Sequence, residues 1–218
     1  VPTAFRDAMS VRERVFVEEQ QVPLELEFDD DDPRSCHWVV YASVGTSSAG
    51  SSDGGNGAPL EPTTTAHRVA VGTIRLVPPP HPAPEDHHVK LDYSRGAPPS
   101  ESASTPQEPY VSIGRLAIIP PYRRLGLATL LLNTALDWAA NHPGEVVPLA
   151  RPEQVELARA EGKEREEEWR GLVLIHAQEH LEGWYGKSGF VTDEGLGRWE
   201  EDGIPILHVG MWKRVVVR

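Results

Sequence analysis

The sequence predicts an α/β (α+β) fold, a mixed central β-sheet flanked by helices and interrupted by long loop insertions. Three observations carry that expectation. Val111–Asn141 reads as an apolar strand, a basic glycine-containing turn and an amphipathic helix in immediate succession. Short runs rich in branched apolar residues recur elsewhere and interleave with stretches of helical spacing. Hairpin signals stand towards both ends of the chain, which fits a mixed sheet and not a doubly wound parallel one.

Ala4–Gln20 has apolar residues at Phe5, Ala8, Met9, Val15 and Phe16 and no interior proline or glycine, so a helix is expected there. An acidic stretch follows from Glu25 to Asp32, and Asp29–Asp32 reads first as a solvated loop. His37–Val44 and Val69–Val77 read as strands of one hairpin. Its enlarged tip, Thr46–Thr65, has the Ser, Gly and Thr content of a flexible loop. Pro78–Pro109 is a proline-dense connector in which His81, His87 and His88 read as solvent-facing. The run Ile113–Ile119 is a strand stopped by Pro120–Pro121, after which Leu127, Leu130, Leu131, Thr134, Ala135 and Trp138 recur on one helical face. Pro143–Pro152 reads as a loop and Glu153–Arg170 as a charged helical stretch broken at Gly162. Gly171–His176 is a short buried strand, and His180–Lys187 a short helix closed by Gly189. Strands around Leu196–Glu200 and Leu207–Val216 join through Asp202-Gly203, a favoured hairpin dipeptide. The expectation is one domain, 1–218, with insertions at about 45–67, 78–109 and 143–170.

A formal charge of −12 over 218 residues argues against a nucleic-acid partner and is compatible with a cationic or amine-bearing substrate. The single cysteine, Cys36, excludes an intrachain disulfide and fits a reducing compartment; beside His37 it reads as a half-buried strand residue and not as a nucleophile. No apolar run reaches the roughly 20 residues a membrane helix needs, and no charged-then-apolar leader opens the chain. These features predict a cytoplasmic protein with no membrane partner; a monomer or homodimer is expected, with no feature of the sequence that chooses between them.

The chemistry concentrates in Arg123–Thr129. Backbone N–H groups at the start of a helix have no intrahelical partner and lie at the positive end of its dipole, a ready site for an anion. Gly126 lets the backbone approach closely, Ala128 keeps its position small, and Arg123 and Arg124 add charge. On these residues alone the stretch is equally an ordinary strand–helix connection with two surface arginines.

The pattern Arg123-x-x-Gly126-x-Ala128 resembles the acetyl-CoA pyrophosphate signature of the GNAT acetyltransferase superfamily. Strand Leu172–His176, Gln178 and Trp184-Tyr185-Gly186-Lys187-Ser188-Gly189-Phe190 resemble its second motif, with Gln178 and Leu181 where Asn and Ala are common. Val15–Pro23, followed by Glu27, Asp29, Asp32 and His37, is similar to the opening signature of the ElaA-type branch. Glu201-Asp202-Gly203-Ile204-Pro205…His208-Val209-Gly210-Met211 is similar to its closing one, with Ile206 and Leu207 inserted before His208. The family's first strand, ahead of the first helix, is not legible before Ala4, as in a chain truncated there.

The resemblance implies a GNAT fold and acetyl transfer from acetyl-CoA to the primary amine of a small molecule, by direct attack in a ternary complex. Leu116, Ala117 and Ile118 would bind the pantetheine arm. Arg123, Arg124, Leu125, Gly126, Leu127, Ala128 and Thr129 would hold the pyrophosphate, and Gln178 would add a contact. Tyr185 would be the general acid, or else a packed aromatic. Glu27, Asp29 and His37 border the substrate as bases or as binders of a cationic amine. Arg115 would meet an anionic substrate group or serve structure. No metal is expected. Amino-sugar phosphates, peptides and proteins are alternative acceptors, and a non-catalytic acetyl-CoA-binding module is an alternative of another class. His176-Ala177-Gln178-Glu179-His180 also matches the His-x-x-Glu-His spacing of a zinc hydrolase, which needs both histidines on one helical face.

Overall fold

The computed structural model describes residues 1–47, 64–81, 108–146, 169–200 and 205–218. Helix α1 (Thr3–Arg12) continues as a π-helical stretch over Glu13–Glu19, so the expected N-terminal helix is present with a widened second half. Helix α2 (Leu24–Glu27) and a 3-10 turn (Asp32–Arg34) lead into strands β1 (Cys36–Ser47), β2 (Thr64–Val77) and β3 (Val111–Ile118). Then come α3 (Leu127–Asn141), α4 (Pro143–Val146), β4 (Leu172–Gln178), α5 (Glu182–Lys187), β5 (Val191–Thr192), β6 (Arg198–Glu200) and β7 (Leu207–Arg214).

The strands form one mixed sheet in the order β1-β2-β3-β4-β7-β5, with β6 also on β7. Only β3 and β4 run parallel; the other pairs are antiparallel. The β1/β2 ladder reaches Ser47↔Thr64, so both edges of the stretch expected as a loop are strand. Pro143–Val146 is a helical turn in place of the expected loop. Proline at its first position needs no N–H partner, and the His142 carbonyl accepts from Glu145 and Val146. The reading of 153–168 as helix and of Asp202-Gly203 as a turn lies outside the described residues, as do His87 and His88. His81 is not simply solvent-facing: it stacks on Tyr110 at 4.5 Å, with its Nε2 3.1 Å from that residue's carbonyl oxygen.

Alternation along β2 sends Ile74 and Leu76 to one face of the sheet and Val71 to the other. Leu131, Leu132, Ala135, Leu136 and Ala139 of α3 cover the first face, together with Tyr185 and Phe190. The buried stripe of α3 is rotated from the expected one, for Leu130 is 54% exposed and the Thr134 hydroxyl donates to its carbonyl. The helix carries apolar residues at both registers, and the sheet selects Leu132 and Leu136 over Leu130. Val11 and Val15 cover the second face over Val71, Ala117 and Ile119.

Between α1 and this face lies a buried charge network. Arg12, 0% exposed, donates to Glu27 Oε1 at 2.6 Å and to Asp32 Oδ1 at 2.5 Å, and also to the Glu27 carbonyl. Arg75 on β2 donates to Asp32 at 2.8 Å and to Asp29 at 2.6 Å. The reading of Asp29–Asp32 as a solvated loop is corrected for Asp32, which is 5% exposed between two arginines. Nothing local in the sequence pairs positions 12, 32 and 75.

Burial alone would raise the Asp32 carboxyl, but Arg12 and Arg75 outweigh it and hold the group at about 2. An unfolded carboxyl titrates near its ordinary 3.8, so unfolding takes up a proton between those values. The linked stabilisation, about 2 kcal/mol, is complete above the ordinary carboxylate range and is lost as pH falls toward 2. Urea titrations should show stability falling across that window, and Asp32→Asn should make the fall shallower. Arg12→Met, which strands two buried carboxylates, should cost about 3–5 kcal/mol at neutral pH.

Candidate functional site

The site begins with a defect in the sheet. Thr73 faces Ala117, yet Arg75 faces Gly114, so Ile74 alone opposes both Arg115 and Leu116. That is a β-bulge on β3, and Arg115 carries it at φ 52°. A bulge bends its strand, and here the bend separates β3 from β4. Their parallel register covers Val111–Ile113 against Val173–Ile175 and then stops, although β3 runs on to Ile118 and β4 to Gln178. Ile119 N–H donates to Val71 across the β2 side at 3.0 Å, so by strand alternation the Ile118 N–H points the other way, into the gap.

A turn closes one end of this gap. Pro120–Tyr122 form a 3-10 turn, and Gly126 sits at φ 78° as the residue before α3. That left-handed conformation costs a residue with a Cβ roughly 1–2 kcal/mol, which is why glycine stands there. The first α3 bond is Leu130 N–H to the Gly126 carbonyl at 3.0 Å, leaving the N–H groups of Leu127, Ala128 and Thr129 free of intrahelical partners and without a side-chain cap. Leu125 is 65% exposed on the same turn. The two arginines differ. Arg123 donates through Nε to the Ile118 carbonyl at 2.8 Å and through both Nη atoms to Glu19 at 2.7 and 2.5 Å. Arg124, at φ 63°, is exposed and has no ion pair among the described residues.

The other wall belongs to β4 and the residues that succeed it. Gln178 Nε2 donates to Gln20 Oε1 at 3.0 Å, spanning from the end of β4 to the end of the π-helical stretch. Gln20 and Gln178 also line an open cleft of about 480 Å³ with Glu179, His180, Pro205, Ile206 and Leu207. Tyr185 on α5 is 7% exposed, edge-on to Trp184 and Phe190. Burial pushes its phenol up to about 12.

The residues expected on the acceptor side converge on the charge network. Glu27, 2% exposed, lies 3.3 Å from Arg115 Nε as well as against Arg12, and desolvation raises its carboxyl despite these arginines. Arg115 also donates to Asp29 at 3.2 Å, and the Asp29 side chain remains 34% exposed. His37 Nε2 lies 3.1 Å from the Asp32 carbonyl oxygen, its ring edge-on to Phe5, and burial lowers its pKa. With Nε2 donating, Nδ1 is a buried acceptor with no hydrogen-bond partner. Sequence reading misses Glu19, Gln20, Arg12 and Arg75, whose partners lie far along the chain.

The Acetyltransferase (GNAT) family model matches residues 5–154, which include the bulged strand and the turn before α3. The chain belongs to the GNAT acetyltransferase family. GNAT acetyltransferases draw on acetyl-CoA, and the free donors at the start of α3, with Arg124 beside them, suit its diphosphate. The fold is also that of a candidate N-acetyltransferase of Lactobacillus plantarum (20% identity over 99% of this chain and 94% of that one, TM-score 0.53). FeeM, an N-acyl amino acid synthase from uncultured soil microbes, shares it at 12% identity over 99% and 86% (TM-score 0.51). Escherichia coli ElaA aligns over 98% and 93% at 17% identity and a TM-score of 0.47. No curated protein matches the sequence significantly. Among the described residues, no helix is long and apolar enough to cross a membrane.

The zinc-hydrolase spacing does not survive folding. His176 lies on β4 opposite Gly210 and packs against Trp199, while Glu179 and His180 lie in a 3-10 turn and Glu179 is paired with Arg198. The two histidines share no helical face. Purified protein should carry no stoichiometric zinc that a His176→Ala, His180→Ala double variant releases, and metal analysis of both proteins checks this.

Proposed function

We propose that the protein moves an acetyl group from acetyl-CoA to the primary amine of a small molecule by direct attack in a ternary complex. The observation that carries the reading is the gap between β3 and β4, with the Ile118 N–H directed into it from one wall and the uncapped start of α3 at its mouth. Leu116, Ala117 and Ile118 would hold the pantetheine arm through their backbone. Arg124 and the turn Leu125–Thr129 would hold the diphosphate, and Gln178 would exchange its bond with Gln20 for one to the arm. The bound thioester supplies the acetyl group. Strand N–H groups beside its carbonyl would stabilise negative charge developing there.

Tyr185 would stand at the departing sulfur. With its phenol at about 12 the side chain keeps its proton at neutral pH, so it acts as a donor and not as a base. A thiol ordinarily titrates near roughly 8.5, so the hydroxyl holds a thiolate chiefly by hydrogen bonding and yields its proton only as the amine's own proton replaces it. On the acceptor face Asp29 is the part-exposed carboxylate open to a cationic amine, whereas Glu27 and His37 are enclosed and shape the wall from behind.

An acetyl-CoA-dependent thiol-release screen over polyamines, amino sugars, amino acids and peptides should identify an acceptor. On that acceptor Tyr185→Phe should lower kcat by roughly 10²-fold, the low end for loss of a proton donor. The affinity for acetyl-CoA should stay the same, since the ring keeps its packing. Unchanged turnover would remove the role, and acetyl-CoA binding with no turnover on any amine would favour a non-catalytic module.

A further inference from the structure

Glu19 and Gln20 are neighbours at the end of the π-helical stretch, and they reach opposite walls of the gap. Glu19 takes both Nη atoms of Arg123, whose Nε is fixed on the carbonyl of Ile118, the last residue of β3. Gln20 accepts from Gln178, the last residue of β4. The backbone here is itself held, by Gln20 N–H on the Val15 carbonyl at 3.1 Å and Val22 N–H on the Phe16 carbonyl at 2.9 Å. One turn of chain therefore ties together the end of β3, the end of β4 and the turn before α3.

A bidentate carboxylate changes what Arg123 can do. Three of its five N–H donors are spent, and its charge is neutralised at contact distance. Arg124, next in sequence, keeps its charge free. We propose that Glu19 is a positioning residue of the donor site. It holds Arg123, and through it the turn Arg123–Gly126, in the geometry that presents the α3 N–H groups, and Arg124 supplies the side-chain charge that meets the anion. This rests on the reading of the turn as a coenzyme A site.

The two possible roles of Arg123 predict opposite signs. If Arg123 bound the diphosphate directly, Glu19 would compete with that anion, and Glu19→Gln would tighten binding. If Glu19 positions the turn, Glu19→Gln weakens it. Titration calorimetry with coenzyme A alone, on the whole chain without acceptor, reads this directly. Glu19→Gln should raise Kd roughly 10-fold at unchanged stoichiometry, the size expected within one coupled network. Arg123→Gln should do the same, and the double variant should be no worse than either single one. Glu19→Asp, which keeps the charge, should recover part of the affinity, and Arg124→Gln should weaken binding independently and flatten its salt dependence. In turnover, Glu19→Gln should raise KM for acetyl-CoA and leave kcat and the acceptor KM alone. Fewer binding sites at an unchanged Kd would mean a purely structural role and overturn the proposal. Equal or tighter binding by Glu19→Gln, with the wild type binding, would overturn it alone. Failure of the wild type to bind coenzyme A would overturn the donor-site reading and this inference together.

Discussion

The structure turns on six charges between the N-terminal helix and the sheet, four of them buried and Asp29 and Arg115 part-exposed. Arg12, Arg75 and Arg115 face Glu27, Asp29 and Asp32, so the cluster is neutral as a whole. The side chains come from separate places along the chain: α1, β2, β3, the end of α2 and the short segment that joins α2 to β1. Taking a single ion out of water costs several kcal/mol, and only a complete set of partners offsets it. The segment from Glu27 to Asp32 is therefore fixed against the sheet by charge, with Phe28 lying over the Arg12 guanidinium at 5.2 Å as the apolar share of that contact. Moving α1 or β2 would take an arginine away from the buried Asp32.

Arg115 belongs to the network and to the bulge at once. Its left-handed backbone costs roughly 1–2 kcal/mol in a residue with a side chain. Its guanidinium lies against Glu27 and Asp29, and charge-assisted pairs of that kind offset a strain of this size. The bend at Arg115 is where β3 leaves β4. The acidic segment thus helps hold open the gap that the functional reading needs, from the side away from the glycine turn. The charge network and the gap between β3 and β4 share Arg115, so a substitution in the acidic segment reaches the gap through that residue without touching it.

Local signals and distant ones differ in how far the sequence alone carries. The strand–turn–helix unit is legible because apolar period, proline stop and glycine all lie within one stretch, and Gly126 has the left-handed φ its place implies. The mixed sheet is legible from hairpin signals at both ends. The buried stripe of α3 departs from its expected register because the helix is apolar at two registers, and only the sheet chooses between them. Asp32 looks solvated in the sequence because a carboxylate shows its burial only through partners, and Arg12 and Arg75 lie 20 and 43 residues away. Arg123 illustrates the same limit at the site. Its place in the motif is visible in the sequence, but the carboxylate that occupies it comes from residue 19, 104 positions earlier.

The chain's overall charge bears on the proposal that the turn before α3 binds a diphosphate. A protein of net charge −12 repels a diphosphate at long range, and the Glu19 carboxylate lies within contact distance of the turn itself. Salt limits the long-range part, since fields fade over about 8 Å at physiological ionic strength. What remains is local: N–H groups at the head of α3, which carry partial positive charge and need no counter-ion, and the exposed Arg124. At the start of α3 no side chain caps these donors, whereas the guanidinium of Arg123 is taken by Glu19. A site built chiefly from them can therefore sit in an acidic protein and still favour an anion, provided the turn that aims them is held rigid. In that reading Gly126 and the Glu19–Arg123 pair behind the turn matter as much as any residue that would touch the ligand.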